Sequence, residues 1–414
     1  MECYFDNAAT TKVSDAAINA MEKVMKLDYG NPSSKHIKGM EAEKYIRDAA
    51  SAIAATLHCK EKEIVFTSGG SESNNTALIG AALAHKRDGD HIITSAFEHP
   101  SVYNPLLSLG DFGYKTDFAP VDGSGHIKLN DLVDMVTEKT VLVSVMYVNN
   151  EIGSVQDIAA ISKAVKNKNP KVIFHVDAIQ AYGKYRINPS KEGIDLLSVS
   201  SHKLHGPKGC GFLYIKDGVR IKPLIYGGGQ QKDRRSGTEN VPAIAGMKVA
   251  VDEAYAGFDE RINHLYGLKT DFIRQVLSVP GAHVNGVFDI VENRIIDGNI
   301  FISGSESVSK NCTDLEELVR RTAPHIVSVS FDNIKAEVLL HALEEKGIYV
   351  SSGSACSSNH PGISGTLKAI GVPDKLLDST LRFSFCGDNT QEQVDYCIEC
   401  LKELVPKYAR FSRR

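Results

Sequence analysis

The 414-residue chain contains no stretch approaching the ~18 apolar residues that a membrane-spanning helix needs. Its start, "MECYFDNAATTK", lacks a charged region followed by an apolar one, so no secretory leader is expected. It also lacks a charge excess. The net charge is −4, which argues against a nucleic-acid surface. The basic tail "KYARFSRR" is short and reads as a solvated end. There is no internal repeat and no low-complexity tract. The eight cysteines are scattered and show no disulfide framework, so reduced thiols in a cytoplasm are expected. "CIEC" (397–400) has a metal-like spacing without a second pair, and its helical surroundings favour packing.

What is present is an ordinary globular composition, 42% hydrophobic and 24% charged, with room for a sizeable core. Short apolar runs alternate with helical patterns. Strands are expected at 63–68, 91–95, 140–148, 171–178, 194–200 and 210–215. Helices are expected at 72–87, 100–109 and 157–167. This alternation predicts an α/β fold with a large, mostly parallel sheet. A smaller α+β domain follows, with a strand at 325–331, a helix at 335–346, "STLRFSF" and a final helix. The predicted division is 15–258 for the large domain, and 1–14 with 259–414 for the small one. Residues 287–322 are polar and weakly periodic, which predicts a surface insertion.

One segment is unusual. "SSGSACSS" (351–358) sets a single thiol, Cys356, among small turn-forming residues. A structural cysteine prefers burial, whereas a reactive one needs exposure. The segment alone leaves both readings open.

Ligands of open α/β sheets lie beyond the carboxyl ends of the strands. Polar residues collect there: Ser71 after "EIVFTSGG", His99 after "HIITSAFE", Asn150 after "VLVSVMYVN", Asp177 ending "KVIFHVD", and His202 with Lys203 in "SVSSHKLHGPKG". Each has an ordinary reading as a cap, a surface charge or a core histidine. Together, in this order, they match what pyridoxal phosphate requires. Lys203 would provide the Schiff-base amine. Asp177 would keep the pyridine nitrogen protonated. "TSGGSESNN" (67–75) would offer backbone N–H groups and a helix N-terminus to the phosphate.

The chain resembles the cysteine desulfurases of the NifS/IscS type, within the class-V aminotransferase group of pyridoxal-phosphate enzymes of fold type I. The resemblance runs nearly end to end, through "YFDNAATT", "GNPSSKH", "EIVFTSGGSESNN", "HIITSAFEH", "VNNEIGSVQDI", "HVDAIQ", "SVSSHKLHGPKG", "RRSGTENV", "SSGSACSS" and "LRFSF". It implies conversion of L-cysteine to L-alanine, with the sulfur carried as a persulfide on Cys356. The loop 351–364 would have to move between substrate and acceptor, which fits its Ser/Gly composition. Lys203 would bind the cofactor and move the substrate's α-proton. His99 would stack on the ring and act in proton transfer.

Asp177 and Gln180 would bond the ring. Gly70, Ser71, Ser200 and His202 would hold the phosphate. Thr238 would reach the phosphate of a neighbouring subunit, making a homodimer part of the site. Arg382 would clamp the substrate carboxylate, aided by Asn31 and Asn150. The implied acceptors are an iron–sulfur scaffold or a tRNA-thiolation enzyme. No metal, membrane or direct nucleic-acid contact is implied. Three features depart from the family pattern: Ser71 where Thr is common, "CGDNT" after "RFSF" where a Gly-Arg pair is common, and the length of 287–322. An aminotransferase or selenocysteine lyase on the same fold would not need Cys356. An idle docking platform would be expected to lack Lys203 or Asp177.

Overall fold

A computed structural model describes residues 1–286, 294–296, 299–301, 312–352 and 364–409 of the chain. Its largest element is a seven-stranded sheet. In spatial order the strands are Ile64–Thr67, Gly211–Ile215, Leu196–Ser200, Ile173–Asp177, Thr140–Met146, His91–Ser95 and Lys115–Ala119. All neighbours are parallel except Gly211–Ile215, which runs antiparallel to the strands on both its sides. Ile64–Thr67 therefore points the same way as the parallel set. The carboxyl ends at Thr67, Ser95, Met146, Asp177 and Ser200 share one edge.

The strand sequences explain the burial. "TVLVSVM" (140–146) is buried at every position, as a parallel strand covered on both faces requires. Side chains alternate between two cores. Phe66, Ile93, Val143, Phe174, Leu197 and Phe212 enter one. Val65, Ile92, Leu142, Ile173, Leu196 and Leu213 enter the other. This is the period-two geometry of a strand, expressed on both faces at once.

A second sheet is antiparallel, in the order Ser351–Ser352, Thr380–Ser384, Ile326–Phe331 and Ala282–Asn285. Phe272, Phe331, Phe383 and Phe385 pack in its core with Leu401. Cys3 and Phe5 join the same core, and Cys3–Tyr4 pairs in parallel with Ile348–Tyr349. Ala323, Ile326 and Leu367 instead pack into the main core of the large sheet, so the two sheets share an apolar boundary.

The expected strands appear within two residues of their sequence-based bounds. Lys115–Ala119 was not expected. It is an edge strand with only alternate residues turned inward, so it carries little apolar signal. The segment 287–322 differs from a surface insertion at its end. Helix Cys312–Arg320 buries Leu315 and Val319 in the second core, and Thr322 accepts a hydrogen bond from the buried Lys269 Nζ at 2.6 Å. Earlier in the segment, Arg294–Ile296 and Asn299–Phe301 pair as an antiparallel hairpin. Residues 287–293, 297–298 and 302–311 lie outside the described residues. Cys397 and Cys400 of "CIEC" are buried in the helix Gln391–Ala409. Among the described residues, no helix is long and apolar enough to cross a membrane.

Candidate active site

A cavity of about 290 Å³ opens at the shared strand edge. Gly70 and Ser71 start the helix Gly70–Ala84, directly after Ile64–Thr67. The capping Gly69 has φ +144°, a conformation side chains rarely adopt. A Cβ on Gly70 would lie 2.2 Å from Ile179 Cδ1, so a larger residue there would have to push the Ile179 side chain aside. His99 caps the helix Pro100–Ser108. Asp177 ends its strand, and Lys203 lies in the short 3-10 turn after Leu196–Ser200. Arg382 enters from the second sheet. Asn150, Gln180, Ser200 and His202 complete this part of the lining.

A hydrogen-bonded chain fixes these groups. Asp177 Oδ2 accepts from Asn74 Nδ2 at 2.8 Å, and its Oδ1 accepts from the Ile179 N–H. Asn74 Nδ2 also donates to Ser101 Oγ, which lies 2.8 Å from His99 Nδ1. The Ser101 N–H donates to the same nitrogen, which places the neutral ring's proton on Nε2. Lys203 Nζ donates to the carbonyls of Ala8 and Ala9, each at 2.6 Å. Gln180 Nε2 donates to the Ala8 carbonyl, and His325 Nε2 donates to Gln180 Oε1 at 3.1 Å. Arg382 is held by Asp6 Oδ1 at 2.9 Å and by the Asn150 carbonyl at 2.8 Å. Among the described residues its Nε is buried without a partner, as is Asn74 Oδ1.

Burial sets the charges. It pushes the Asp177 carboxyl above the ordinary range, against the Ile179 N–H, His99, Asn74 and Lys203, which favour ionisation. His99 is lowered by burial, partly offset by Asp177, so its ring is neutral near pH 7. His202 is lowered to about 4 by burial and by neighbouring lysines, Lys203 first. The Glu98 carboxyl is raised to about 8, chiefly by burial.

Thr238 and Asn31 do not line this cavity. Both are exposed, and Asn31 Oδ1 accepts from the Ser33 N–H within its own turn. The Thr238 loop is nonetheless tied to the Gly70 turn. Arg235 pairs with Glu72 at 2.9 Å, and Glu72 also accepts from the Ser68 N–H. Cys356 lies outside the described residues. The far end of its segment is anchored: Ser364 Oγ and Thr366 Oγ1 donate to Glu151 at 2.5 and 3.0 Å.

Reading the sequence alone missed Asp6, Asn74, Ser101, Ile179, Glu151 and His325. Asp6 and Asn74 stand inside the motifs "YFDNAATT" and "SGGSESNN", and Glu151 directly follows Asn150, so proximity was the available signal. His325 precedes a strand of the other sheet and carried none.

The class-V aminotransferase family pattern matches residues 3–295 and 307–397. The chain is 38% identical over 409 residues to a cysteine desulfurase IscS of Methanosarcina thermophila, covering 99% of this chain and 93% of that one. It is 38% identical over 411 residues to a cysteine desulfurase IscS of Dictyoglomus turgidum, covering 99% and 96%. Among solved structures it is similar to a NifS-like protein, with TM-score 0.85 and 35% identity over 98% of this chain and all of that one. It is also similar to SspA in complex with cysteine, with TM-score 0.76 and 30% identity over 94% and 100%. A strand-edge cavity holding the motif residues and full-length identity at this level lead to one assignment: the chain belongs to the NifS/IscS cysteine desulfurases of the class-V aminotransferase family.

Proposed function

We propose that the protein is a cysteine desulfurase dependent on pyridoxal phosphate. In this reading it converts L-cysteine to L-alanine and loads the sulfur onto Cys356. The observation that carries the cofactor reading is Asp177, a fully buried carboxylate at the head of a cavity that also holds Lys203 and His99. Burial raises the Asp177 carboxyl despite His99 and Lys203, and a protonated pyridine nitrogen set against it would stabilise its ionised form. The Gly70 turn fits the other end of the same group, with N-terminal N–H groups of a 15-residue helix and the side chains of Ser71, Ser200 and His202. When bound, pyridoxal phosphate delocalises the electron pair left by the substrate's α-proton.

The chain's own groups do the rest. Lys203 Nζ is the amine within reach and takes the α-proton. His99, neutral with its proton on Nε2, stacks and exchanges a proton. Arg382, oriented by Asp6 and Asn150, holds the substrate carboxylate as a planar fork. Cys356 Sγ attacks the substrate's Sγ, and the Cβ–Sγ bond breaks toward carbon. Cβ then takes a proton, giving alanine and an S–S bond on Cys356, with no external oxidant or reductant. Glu151 anchors the end of the Cys356 segment through Ser364 and Thr366.

A homodimer is part of this reading. Thr238 is exposed, tethered beside the phosphate turn, and available to a neighbouring copy. Tyr29, Ile37, Met40 and Tyr226 are exposed apolar residues that a second copy would cover. In this reading 15–258 forms a domain around the large sheet and 1–14 with 259–414 one around the small sheet, with Ala8, Ala323, Ile326 and Leu367 crossing into the large-sheet core. The sulfur acceptor is a protein, either an iron–sulfur scaffold or a tRNA-thiolation enzyme, and the compartment is the cytoplasm.

The test is single-turnover mixing of holoenzyme with L-cysteine, measuring alanine and locating sulfur by mass spectrometry. One alanine per site with the added sulfur on Cys356 is expected. Alanine at the wild-type rate from Cys356→Ala would overturn the persulfide step.

A further inference from the structure

Behind Lys203 lies a second cavity, of about 450 Å³, whose lining shares only Lys203 with the first. His205, Cys386 and Asp388 line it, and one potential ligand atom from each lies within 4.8 Å of the others. Cys386 and Asp388 are the residues of "CGDNT", where the chain departs from its family pattern. We propose that His205, Cys386 and Asp388 form a binding site for a divalent transition metal of the zinc class.

Three features support it. First, His205 Nδ1 donates to the Lys12 carbonyl at 3.0 Å, so Nε2 carries the lone pair. A backbone carbonyl fixing the tautomer is the usual outer support of a metal-bound imidazole. Second, the 386–389 loop turns the backbone N–H groups of Asp388 and Asn389 toward the Cys386 sulfur. The loop is held by the Cys386 N–H donating to Asn389 Oδ1 at 2.8 Å. Third, thiolate, imidazole and carboxylate together are the donor set of a three-ligand zinc site, with water from the cavity as the fourth ligand.

The spacing is wider than in a loaded site. Ligand bonds of ~2.0–2.3 Å imply tetrahedral edges of roughly 3.3–3.8 Å. The ligand atoms would close by about an ångström, through rotamer changes of the exposed Asp388 and of the half-buried His205 and Cys386. Two cations line the same cavity. Arg261 directs its N–H groups to the carbonyls of Glu253, Ala254 and Ala256. Lys184 directs its Nζ to the Lys203 carbonyl at 2.5 Å. Binding forms a metal–sulfur bond and releases the thiol proton to solvent. The metal would join the turn carrying Lys203 to the loop that follows the Arg382 strand.

The experiment uses metal-stripped holoenzyme carrying Cys356→Ser, so that the loop thiol cannot contribute. Co²⁺ is added as the probe, then Zn²⁺ as competitor. One equivalent of Co²⁺ per chain is expected, with a thiolate-to-cobalt charge-transfer band that Zn²⁺ abolishes. Cys386→Ser should remove the band. Asp388→Asn, at an exposed position that leaves folding intact, should weaken binding at least tenfold. His205→Asn should do the same while tolerating the positive φ at that position. Absence of a thiolate–cobalt band in the parent protein would overturn the proposal. So would a band that survives Cys386→Ser, or unchanged affinity in Asp388→Asn.

Discussion

Lys203 is a wall between two cavities of different construction. The front cavity is built from strand ends, and its polar groups are locked to one another: Asp177 to Asn74, Asn74 to Ser101, Ser101 to His99. The rear cavity is built from loops and helix faces, and two of its charged groups, Lys184 and Arg261, bind backbone carbonyls. A site assembled on one sheet edge is rigid, since five strands fix its walls together. The rear assembly instead depends on how the second sheet packs against the first. The largest test of this comparison is Lys203→Ala. Loss of the amine should lower front-cavity turnover by about 10³-fold or more, while Co²⁺ binding at the rear is retained. Cysteine turnover assays alongside Co²⁺ titration check both halves. Loss of both would mean that the cavities are not separable.

Arg382 sharpens the comparison from the other side, because it is the front-cavity group carried by the second sheet. It bonds Asp6 and the Asn150 carbonyl, so it depends on the packing of the two sheets. Arg382→Ala should raise KM for L-cysteine by roughly 10–100-fold, the worth of a lost charge-assisted hydrogen bond. Arg382→Lys should recover little of this, since an ammonium cannot serve Asp6, Asn150 and a carboxylate together. Steady-state kinetics separates KM from kcat. A lysine variant with near-normal KM would show that the fork geometry is not needed.

The same contrast explains what could be read from the chain. Asp177, Lys203, His99 and Ser71 were visible because each ends or follows a short, fully buried strand, and the strand end tells where a side chain emerges. The parallel sheet was visible for the same reason. His325 was not, since its contact with Gln180 spans two sheets and 145 positions. The Lys115–Ala119 edge strand was hidden by its half-exposed pattern. The helix Cys312–Arg320 was misread as surface because its two buried side chains, Leu315 and Val319, are too few to outweigh the polar residues around them. His205 stands 181 positions before the Cys386/Asp388 pair, and only the fold brings it to them.

Glu151 is a front-cavity support with a smaller expected effect. Its carboxylate receives Ser364 Oγ and Thr366 Oγ1, and burial raises its pKa against those bonds. Glu151→Gln keeps one acceptor and should reduce sulfur transfer to Cys356 a few-fold, while leaving cofactor binding unchanged. Rapid-quench measurement of alanine formation, with the cofactor spectrum as reference, checks this. Weaker cofactor binding with normal alanine formation would assign Glu151 to the wrong step.

The smallest effect concerns pH and stability, where Glu98, bonded to the strand ends Ser95 and Met146 behind the front cavity, and Lys184 in the rear cavity should differ in sign. The Glu98 carboxyl is raised from 4.5 to about 8, by burial first, against hydrogen bonds from Ser95 and Met146. Across that window the folded protein keeps a proton that the unfolded chain releases. Stability from this group therefore falls as pH rises from about 4.5 to 8. Lys184, in the rear cavity, is lowered from 10.5 to about 7, by burial and then by Lys203 and Arg261. Between about 7 and 10.5 the unfolded chain holds the proton and the folded protein does not, so stability from Lys184 rises with pH. Glu98→Gln retains an oxygen for the Met146 N–H and cannot ionise. Its stability should be close to the wild type's near pH 5 and exceed it near pH 8, by an amount on the order of 3 kcal/mol. Lys184→Met should remove the alkaline rise and leave the acidic limb alone. Thermal unfolding at fixed cofactor saturation, across both windows, measures the two slopes. If Glu98→Gln and wild type run parallel from pH 5 to 8, the Glu98 carboxyl titrates alike folded and unfolded, and the opposition between the two cavities is lost.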